Sequence, residues 1–392
     1  MTRFNPENDY VTAAVYKNGE IVELGKVKHG LDEETWRTLK DVFRTKGRQV
    51  AEGYELPPAV CASIHTLDLL SGELREPHFR RLTPEKSASS CTWHQAQLDL
   101  AMFPEAVDVT HTAKAFWPRA DLAKGDLLVY MRNIAPYMLP FLRERLLTII
   151  RCPDGVQGES FFQKSRPDDA PDFLKGITHD GDKRFVCNTT DALIWLANQG
   201  ALEYHIPFQT ADQVKPREIV FDLDPPGREQ FTLAIQAARL LKQVLDDLQL
   251  VSFLKTSGGK GLQVHIPLPS DSLTYEETGV LTQAVAWTLE NSYPDLFTTE
   301  RLKAKRGGRL YIDYLQHAEG KTIVAPYSPR KREDATVAAP LFWEELTDDL
   351  RPDEFQIDNA VERVQTIGCP FAGYFAAGDA QVLANVLSLI RK

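Results

Sequence analysis

The chain has 392 residues, of which 43% are hydrophobic and 26% charged, a globular composition that excludes an intrinsically disordered protein. This length predicts two or three domains, each with its own core. The five cysteines are scattered without a Cys-x-x-Cys pair, which argues against a disulfide scaffold or a structural zinc site and favours a reducing cytosol. Because the sequence shows no apolar leader and no apolar run of about 18 residues, we expect a cytoplasmic protein without a membrane anchor.

Charge is unevenly distributed along the chain. The formal net charge of −10 by itself argues against a nucleic-acid-binding protein, because such domains tend to be basic. However, Arg301–Arg332 contains nine Lys and Arg residues against two acids, whereas Glu344–Arg363 contains eight acids and two Arg residues. The basic stretch is therefore free to meet phosphate groups although the whole chain is acidic.

The first 95 residues are rich in predicted strands and contain one predicted helix, which together suit a small all-β barrel. An Asn18-Gly19 turn joins two apolar stretches into a hairpin, and Asp32 is expected to cap the helix. The predicted elements are strands Tyr10–Tyr16 and Ile21–Val27, helix Thr35–Phe43, strand Val60–Leu70 and a strand around Leu74–Leu82.

A polar, poorly periodic linker is predicted at residues 96–109. Beyond it, strands and helices are mixed over residues 110–376, which predicts one large α/β domain, followed by a helical tail at 377–392. The predicted elements are helix Gly125–Arg143, strand Leu146–Arg151, helix Ala192–Asn198, strands Leu202–Ile206 and Glu218–Leu223, helix Phe231–Leu248, and strands Val251–Leu254, Leu262–Pro267 and Leu310–Ile312.

The sharpest chemical signal is an apolar strand that ends in Asp222-x-Asp224. Strand alternation puts both carboxylates on one face, where they repel unless a cation lies between them. Such an oxygen-rich site suits Mg²⁺ or Mn²⁺ with a phosphate substrate. A solvated strand end is the alternative, whereas a haloacid-dehalogenase-type phosphatase is disfavoured because Pro225-Pro226 stands where Gly-Thr or Gly-Val would be expected.

A glycine-rich segment, Lys255–Gly261, lies between two predicted strands and contains the loop Ser257–Gly261. Its three glycines allow backbone N–H groups to approach an anion, and Ser257 and Lys260 can add a hydroxyl group and a positive charge. The loop lacks the Gly-Lys-Ser/Thr of a Walker A motif. It therefore indicates either an anion site of another kind or a plain glycine-rich hairpin.

A third carboxylate, Asp313, ends a predicted strand inside the basic stretch. Two-metal sites for phosphoryl or nucleotidyl transfer need such a carboxylate to hold both ions about 3.5–4 Å apart. A single Asp at a strand end is usually structural, so the functional interpretation depends on the other motifs.

Together these motifs resemble the polymerase domain of the bacterial ligase D family, an archaeo-eukaryotic primase-type domain used in non-homologous end joining. The resemblance covers about residues 110–374, most of the chain. The motifs that carry it are, in order, Lys124-Gly125-Asp126-Leu127, Arg151-Cys152-Pro153-Asp154-Gly155, Phe161-Phe162-Gln163-Lys164, Phe221-Asp222-Leu223-Asp224-Pro225, Ser257-Gly258-Gly259-Lys260-Gly261, Asp313-Tyr314-Leu315-Gln316 and Ala325-Pro326-Tyr327-Ser328.

The resemblance implies an α/β (α+β) primase-polymerase-like catalytic domain that binds two divalent ions, Mn²⁺ or Mg²⁺, and prefers ribonucleotides and Mn²⁺. It implies roles for three groups of residues. The metal ligands would be Asp222, Asp224 and Asp313; the nucleotide would meet Ser257, Lys260, His205, Arg330 and, with a weaker match, Arg306; Lys114 and Lys124 would bind the 5′-phosphate of a DNA end, and Phe161 and Phe162 would stack on the template.

One position departs from the family pattern. The family's loop usually continues Gly-Leu-His, with that His in the nucleotide site, but this chain has Gln263 there and His265 two residues later, on the same strand face. A glutamine can donate a hydrogen bond but carries no charge. Either Gln263 performs a weaker version of the same role or His265 replaces it.

Residues 1–95 resemble a different domain, the C-terminal oligonucleotide-binding (OB-fold) barrel of an ATP-dependent DNA ligase, through Val22–Val27 and Gly72–Leu82. The Arg-x-Asp-Lys motif of that barrel reads Thr83-Pro84-Glu85-Lys86 here, and no Lys-x-Asp-Gly nucleophile motif is present. We therefore expect no ligase activity from this chain alone.

The sequence thus predicts a DNA-directed nucleotidyltransferase that fills or extends DNA ends during double-strand-break repair. Its expected partners are broken or gapped DNA with a 5′-phosphate and NTP or dNTP, with a Ku-type end-binding protein and a separate DNA ligase as further candidates and the bacterial nucleoid as the location. The alternatives are a primase that starts chains without a primer and a non-catalytic DNA-end-binding scaffold.

Overall fold

The computed structural model describes residues 1–69 and 72–390, which fall into two compact units, Met1–Met102 and Phe103–Lys392. The first unit contains an antiparallel five-stranded sheet in the order β3-β2-β1-β5-β4 and a separate β6–β7 pair. Its elements are β1 Arg3–Asn5, β2 Tyr10–Lys17, β3 Glu20–Val27, α1 Glu33–Lys46, β4 Arg48–Val50, β5 Gly53–Glu55, β6 Ala62–His65, β7 His78–Leu82 and α2 Trp93–Leu100.

Local signals in the first unit are confirmed. Strands β2 and β3 form the predicted hairpin, and Asn18 and Gly19 both have positive φ (52° and 80°), as the two-residue turn requires. The Asp32 carboxylate accepts the N–H of Thr35 at 2.7 Å and so caps α1. The unit has its own core, in which Phe4, Phe43 and their apolar neighbours are buried.

Three expectations for this unit differ from the structure. No sheet closes on itself among the described residues, so a β-rich unit is present but the expected barrel is not confirmed. The strand predicted over Val60–Leu70 spans only Ala62–His65, and Leu70 lies outside the described residues. Residues 96–100, assigned to a linker, belong to α2 instead, because Thr92 caps a helix by accepting the N–H of Gln95 at 3.1 Å.

The second unit has the expected mixed α/β architecture, with a six-stranded sheet in the order β18-β19-β15-β17-β16-β21 and a four-stranded sheet in the order β11-β10-β14-β20. The helices that pack on them are α5 and α6 against β15, and α4 against β14. The elements are β8 Ala115–Trp117, β9 Leu122–Ala123, α3 Lys124–Leu142, β10 Thr148–Arg151, β11 Phe161–Gln163, β12 Gly176–His179, β13 Asp182–Phe185, α4 Thr190–Asn198, β14 Ala201–Pro207, β15 Glu218–Asp224, α5 Phe231–Asp247, β16 Phe253–Thr256, β17 Leu262–Pro267, α6 Tyr275–Ser292, β18 Phe297–Thr298, β19 Leu310–Asp313, β20 Thr322–Val324, β21 Pro340–Leu341, α7 Ala360–Ile367, α8 Tyr374–Asp379 and α9 Ala384–Ile390.

The centre of the larger sheet is fully buried. Strand β15 reads Glu-Ile-Val-Phe-Asp-Leu-Asp, and its four apolar side chains, which alternate between the two faces of the sheet, have no exposure. The two Asp residues come at the end of the strand, where burial decreases. Within the described residues, no helix is long and apolar enough to cross a membrane.

Candidate active site

Three carboxylates lie together at one end of the six-stranded sheet. Asp222 and Asp224 are two positions apart on β15 and share a face, and Asp313, the last residue of β19, is the direct cross-strand partner of Asp222. Like charges placed opposite each other on paired strands are destabilising unless something neutralises them. The structure therefore brings together the three acids that the sequence pointed to, on a scaffold of paired strands.

The surroundings of Asp222 disfavour its charged form. Burial raises the pKa of Asp222 to about 6, and the negative charges of Asp224 and Asp313 contribute to the rise. A hydrogen bond from Gln263 Nε2 to Asp222 Oδ1, at 3.0 Å, opposes it. Such a carboxylate would be stabilised in its charged form by a nearby cation.

The other two carboxylates are bonded to groups of the protein. Burial raises the pKa of Asp313, while hydrogen bonds from Tyr311 Oη (3.0 Å) and Gln316 N (2.9 Å) oppose the rise. Asp224 faces two cations, with Lys260 Nζ at 3.0 Å and an Arg306 guanidinium nitrogen at 3.4 Å. The Arg306 guanidinium group is also stacked on the Tyr311 ring, with a distance of 3.8 Å to the ring centroid.

The donor set fits a divalent cation, although the side chains do not enclose one as they stand. Three carboxylates on adjacent strands provide the oxygen ligands that Mg²⁺ and Mn²⁺ prefer. Across the described parts of the chain, no three His, Cys, Asp or Glu side chains converge tightly enough to hold a metal ion. At Asp224, the carboxylate is paired with Lys260 and Arg306. A bound ion would compete with these two cations for the carboxylate.

The glycine-rich loop packs directly against the end of β15. The hydroxyl oxygen of Ser257 accepts the N–H groups of Gly259 (3.2 Å) and Gly261 (3.1 Å), which folds the loop on itself. A Cβ atom at Gly261 would stand 2.1 Å from the Leu223 carbonyl oxygen, so only glycine allows this approach. Lys260 reaches over the strand end and donates to the Pro225 carbonyl oxygen as well as to Asp224.

A second group of charges lies on the other side of the loop, around Glu203 on β14. The Glu203 carboxylate contacts His205 Nε2 at 2.9 Å, Arg330 Nε at 3.2 Å and the N–H of Lys331 at 2.7 Å. Arg330 also donates to the Ser257 carbonyl oxygen at 2.5 Å and so joins this group to the loop. Burial alone would raise the pKa of Glu203, but these partners, His205 foremost, lower it to about 2. The sequence identified His205 and Arg330 but missed Glu203, which orients both.

The structure separates the two candidates for the position where the family has a histidine. Gln263 is the direct cross-strand partner of Asp222 and is bonded to it. His265 is 1% exposed and bonds Glu218 at 2.9 Å, in a buried group that also contains Arg145 and Tyr374. Burial lowers the pKa of His265. Gln263 therefore belongs to the carboxylate site and His265 to the interior behind it.

Lys255 begins the glycine-rich segment that the sequence pointed to, but the sequence assigned no role to it. Its side chain has no exposure, and its Nζ donates to Gln263 Oε1 at 2.5 Å. Burial, together with the positive charge of Arg330, lowers the pKa of Lys255 to about 7. A charged residue type inside the buried strand β16, immediately before the loop, was the available signal, because lysine is almost never fully buried without a partner.

Lys114 and Lys124 meet at the start of α3. The N–H of Lys124 donates to the Lys114 carbonyl oxygen at 2.7 Å, and the two ammonium groups are close enough to affect each other. Lys114 is paired with Asp154, while Lys124 is buried and donates to the Thr110 carbonyl oxygen at 2.6 Å. Burial, with a contribution from Lys114, lowers the pKa of Lys124 to about 8.

Phe161 and Phe162 form an exposed aromatic pair on the edge strand β11. Their side chains are 46% and 71% exposed, which excludes the core position that a Phe pair usually has. The Arg151 guanidinium group lies over the Phe161 ring at 5.3 Å from its centroid. Exposed rings on a strand edge offer flat surfaces on which nucleobases can stack.

Comparisons with known proteins agree on one family. Residues 123–371 match the family model of the LigD primase-polymerase domain. The chain is 41% identical over 393 residues to the bifunctional non-homologous end joining protein LigD of Bacillus subtilis, covering all of this chain and 64% of that protein. It is 35% identical to the multifunctional non-homologous end joining protein LigD of Mycolicibacterium smegmatis, covering 67% of this chain and 35% of the relative.

A solved structure shows the same fold. The polymerase domain of Mycobacterium tuberculosis ligase D, in complex with DNA, superposes with a TM-score of 0.64 at 32% identity, covering 69% of this chain and 98% of that one. The chain spans less than two thirds of the length of the curated relatives reported above. From the family model and these relatives, the chain belongs to the LigD primase-polymerase domain family.

Proposed function

We propose that the chain is a DNA-directed nucleotidyltransferase that fills or extends DNA ends in double-strand-break repair by non-homologous end joining. The observation that carries this proposal is the juxtaposition of Asp222, Asp224 and Asp313 with the glycine-rich loop. Acids that suit divalent ions lie within one side-chain length of a loop that suits a phosphate chain. The relatives are named for non-homologous end joining, and the structural relative was solved with DNA.

In this proposal, Asp222, Asp224 and Asp313 hold two divalent ions, Mn²⁺ or Mg²⁺. Such ions supply Lewis acidity at the attacking hydroxyl group and charge stabilisation at the transferred phosphate. The chain itself holds and orients the nucleotide. Lys260 and Arg306 now neutralise Asp224, and their positive charges would become available to the triphosphate once a cation takes over that carboxylate. Arg330, held by Glu203 and the Ser257 carbonyl group, presents a further positive charge beside the loop.

The DNA would be held by residues away from the carboxylates. The start of α3, with Lys114 and Lys124, suits the 5′-phosphate at the far side of a gap, because a helix N-terminus and two ammonium groups both attract anions. Phe161 and Phe162 would stack on template bases. The acidic net charge does not oppose DNA binding, because these basic and aromatic groups are local.

For the N-terminal unit we propose the role of a ligase-type OB-fold module that binds nucleic acid or a partner domain. The match to the Bacillus subtilis relative extends through this unit, which supports its place in the same repair system. A Ku-type end-binding protein and a separate ligase are its proposed partners, acting on nucleoid DNA in the cytoplasm. The unit would then recruit the polymerase unit to ends rather than take part in nucleotide addition.

The test is primer extension on a gapped duplex with a 5′-phosphate, with ribonucleotides and deoxynucleotides compared in Mn²⁺ and in Mg²⁺. We expect extension by the wild type and its loss in Asp222→Asn and Asp224→Asn, since each removes a metal ligand, while DNA binding changes little. Robust extension by either variant would contradict the metal assignment. Chain initiation on an unprimed template would instead identify a primase, and repair that is unchanged by Asp222→Asn would identify a scaffold.

A further inference from the structure

Four polar side chains form a straight row across four adjacent strands of the six-stranded sheet. Lys255 on β16 is the register partner of Gln263 on β17, Gln263 is the partner of Asp222 on β15, and Asp222 is the partner of Asp313 on β19. Directly opposed residues on antiparallel strands place their side chains on one face, about 5 Å apart. The row therefore runs from a buried ammonium group to two of the three carboxylates of the candidate metal site, Asp222 and Asp313.

The Gln263 side chain connects the two halves of this row. Its Oε1 accepts from Lys255 Nζ at 2.5 Å, and its Nε2 donates to Asp222 Oδ1 at 3.0 Å. Both ends of the amide are thus used, and the side chain is only 3% exposed. A flipped amide would turn its NH₂ group to the ammonium ion and its oxygen to the carboxylate, which places like partial charges together at both ends.

We propose that Lys255 is a positioning residue that, through Gln263, fixes the orientation of the Asp222 carboxylate toward a divalent cation. This inference rests on the proposed function, since it takes Asp222 as a metal ligand. Lys255 selects one orientation of the Gln263 amide. In that orientation Gln263 Nε2 donates to Asp222 Oδ1 and so fixes the plane of the Asp222 carboxylate. Lys255 touches neither substrate nor ion in this role, which explains a lysine that is completely buried behind the site.

The role also accounts for the residue type at position 263. The position needs a side chain that accepts from Lys255 with one atom and donates to Asp222 with another. Glutamine does both with its amide, and a histidine could do both with its two ring nitrogens. A glutamate could not, because it would present a second carboxylate to Asp222.

The experiment measures Mn²⁺ binding to the full chain by electron paramagnetic resonance of the free ion, without nucleotide or DNA. We expect Lys255→Met and Gln263→Met each to weaken Mn²⁺ binding about tenfold, as loss of a group that orients a metal ligand typically does. Because Lys255 and Gln263 act through the same hydrogen bonds, the two losses should not add. The double variant should bind Mn²⁺ as tightly as the single variant with the lower affinity. Gln263→His should bind within about twofold of the wild type, since it restores both hydrogen bonds.

A matched control is available in Gln381, another buried glutamine of the same unit. Its amide is also bonded at both ends, to Val251 and Pro267, but it has no part in the row. Gln381→Met should leave the Mn²⁺ affinity unchanged. In primer-extension assays, Lys255→Met and Gln263→Met (the row variants) should lower kcat more than they raise the KM for the nucleotide, because the phosphate-binding loop is intact.

Asp222→Asn separates this inference from the proposed function. No Mn²⁺ binding by the wild type, or wild-type affinity in Asp222→Asn, would refute the metal assignment itself. If Asp222→Asn loses binding while either row variant keeps it, the positioning role is wrong and the metal site stands. Tighter Mn²⁺ binding by Lys255→Met would also overturn the positioning role, because Lys255 would then act only as a positive charge that repels the ion. Lys255→Met replaces the buried ammonium group with an apolar chain of similar length, so we expect this variant to fold. It therefore tests the positioning role even if Gln263→Met does not fold.

Discussion

Glu203 shows how a single buried side chain organises several candidate nucleotide contacts. One carboxylate holds the His205 ring and the Arg330 guanidinium group and accepts a backbone N–H, and Arg330 in turn contacts the glycine-rich loop. A buried carboxylate with this many donors stays ionised, which keeps both partners in place. Its effect on function therefore passes through its neighbours, and its effect on stability can be measured separately.

The first prediction follows from the pKa of Glu203, which lies at about 2 in the folded chain against an ordinary value of 4.5. A carboxylate with a depressed pKa contributes stability above its unfolded pKa and loses it as the pH falls toward the folded one. Glu203→Gln should therefore lower the free energy of unfolding at pH 7 by up to about 3 kcal/mol. The difference from the wild type should shrink between about pH 4.5 and pH 2.

Urea unfolding of both proteins between pH 7 and pH 3 measures this difference. A gap between wild type and variant that stays constant over this range would show that Glu203 is not preferentially ionised in the folded state. A variant as stable as the wild type at pH 7 would show that its partners are held by other contacts.

At the scale of elements, the glycine-rich loop depends on close backbone packing against β15. A Cβ at Gly261 would stand 2.1 Å from the Leu223 carbonyl oxygen. Relief of this clash requires a shift of the backbone, which costs more than a shift of a flexible side chain. Gly261→Ala should therefore lower the free energy of unfolding by roughly 1–3 kcal/mol. It should also weaken nucleotide binding, because the loop moves away from Asp224.

Gly279 in α6 provides the matched control, since a Cβ there would meet nothing within 4 Å. Gly279→Ala should stabilise the chain by roughly 0.5–1 kcal/mol, because alanine loses less conformational freedom in a helix. Thermal unfolding and nucleotide titration of the two variants give the comparison. A Gly261→Ala variant that matches Gly279→Ala in both measurements would refute the packing role of the loop.

The start of α3 carries a prediction about DNA ends. Lys114→Ala combined with Lys124→Ala should weaken binding to gapped DNA that has a 5′-phosphate by about tenfold, and should weaken binding to the same DNA without the phosphate far less. The preference should shrink as salt rises, because the contacts are electrostatic. Asp154→Asn should increase the preference, since Asp154 now pairs with Lys114. Equal losses on both substrates would mean that neither lysine recognises the 5′-phosphate.

Sequence patterns predicted elements best where the signal is local. The Asn18-Gly19 turn, the Asp32 cap and the apolar run of β15 depend on a few neighbouring residues, and all three are present. Local patterns do not report which strands pair across the sheet. Asp222 and Asp313, 91 positions apart, were joined in one site by the resemblance to a family, and their cross-strand pairing is visible only in the structure.

The parts that the sequence missed depend on distant partners. Glu203 meets Arg330 because a loop far along the chain folds back onto β14, which no local pattern shows. Lys255 and Gln263 are close in sequence, but their contact depends on the register of β16 against β17. For the same reason, the choice between Gln263 and His265 needed the register of β15 against β17. The expected barrel is not confirmed for a related reason, because short strands predict a β-rich unit but not whether its sheet closes.

At the scale of the whole molecule, the described residues form two hydrophobic cores. One consists of residues between Met1 and Leu82, and the other of residues between Phe103 and Leu387. Every candidate site residue belongs to the second unit, Phe103–Lys392. A unit with its own core and all of its site residues is expected to fold and act without the other.

The last prediction tests this independence with a fragment that spans residues 103–392. We expect it to unfold cooperatively and to extend a gapped primer at a rate within about threefold of the full chain, because its core and its carboxylates are complete. Circular dichroism during heating and primer extension supply the two measurements, with Asp222→Asn in the fragment as the inactive control. A fragment that is folded but inactive would show that residues 1–102 contribute to nucleotide addition. One that fails to fold would show that the core of the second unit is not sufficient by itself.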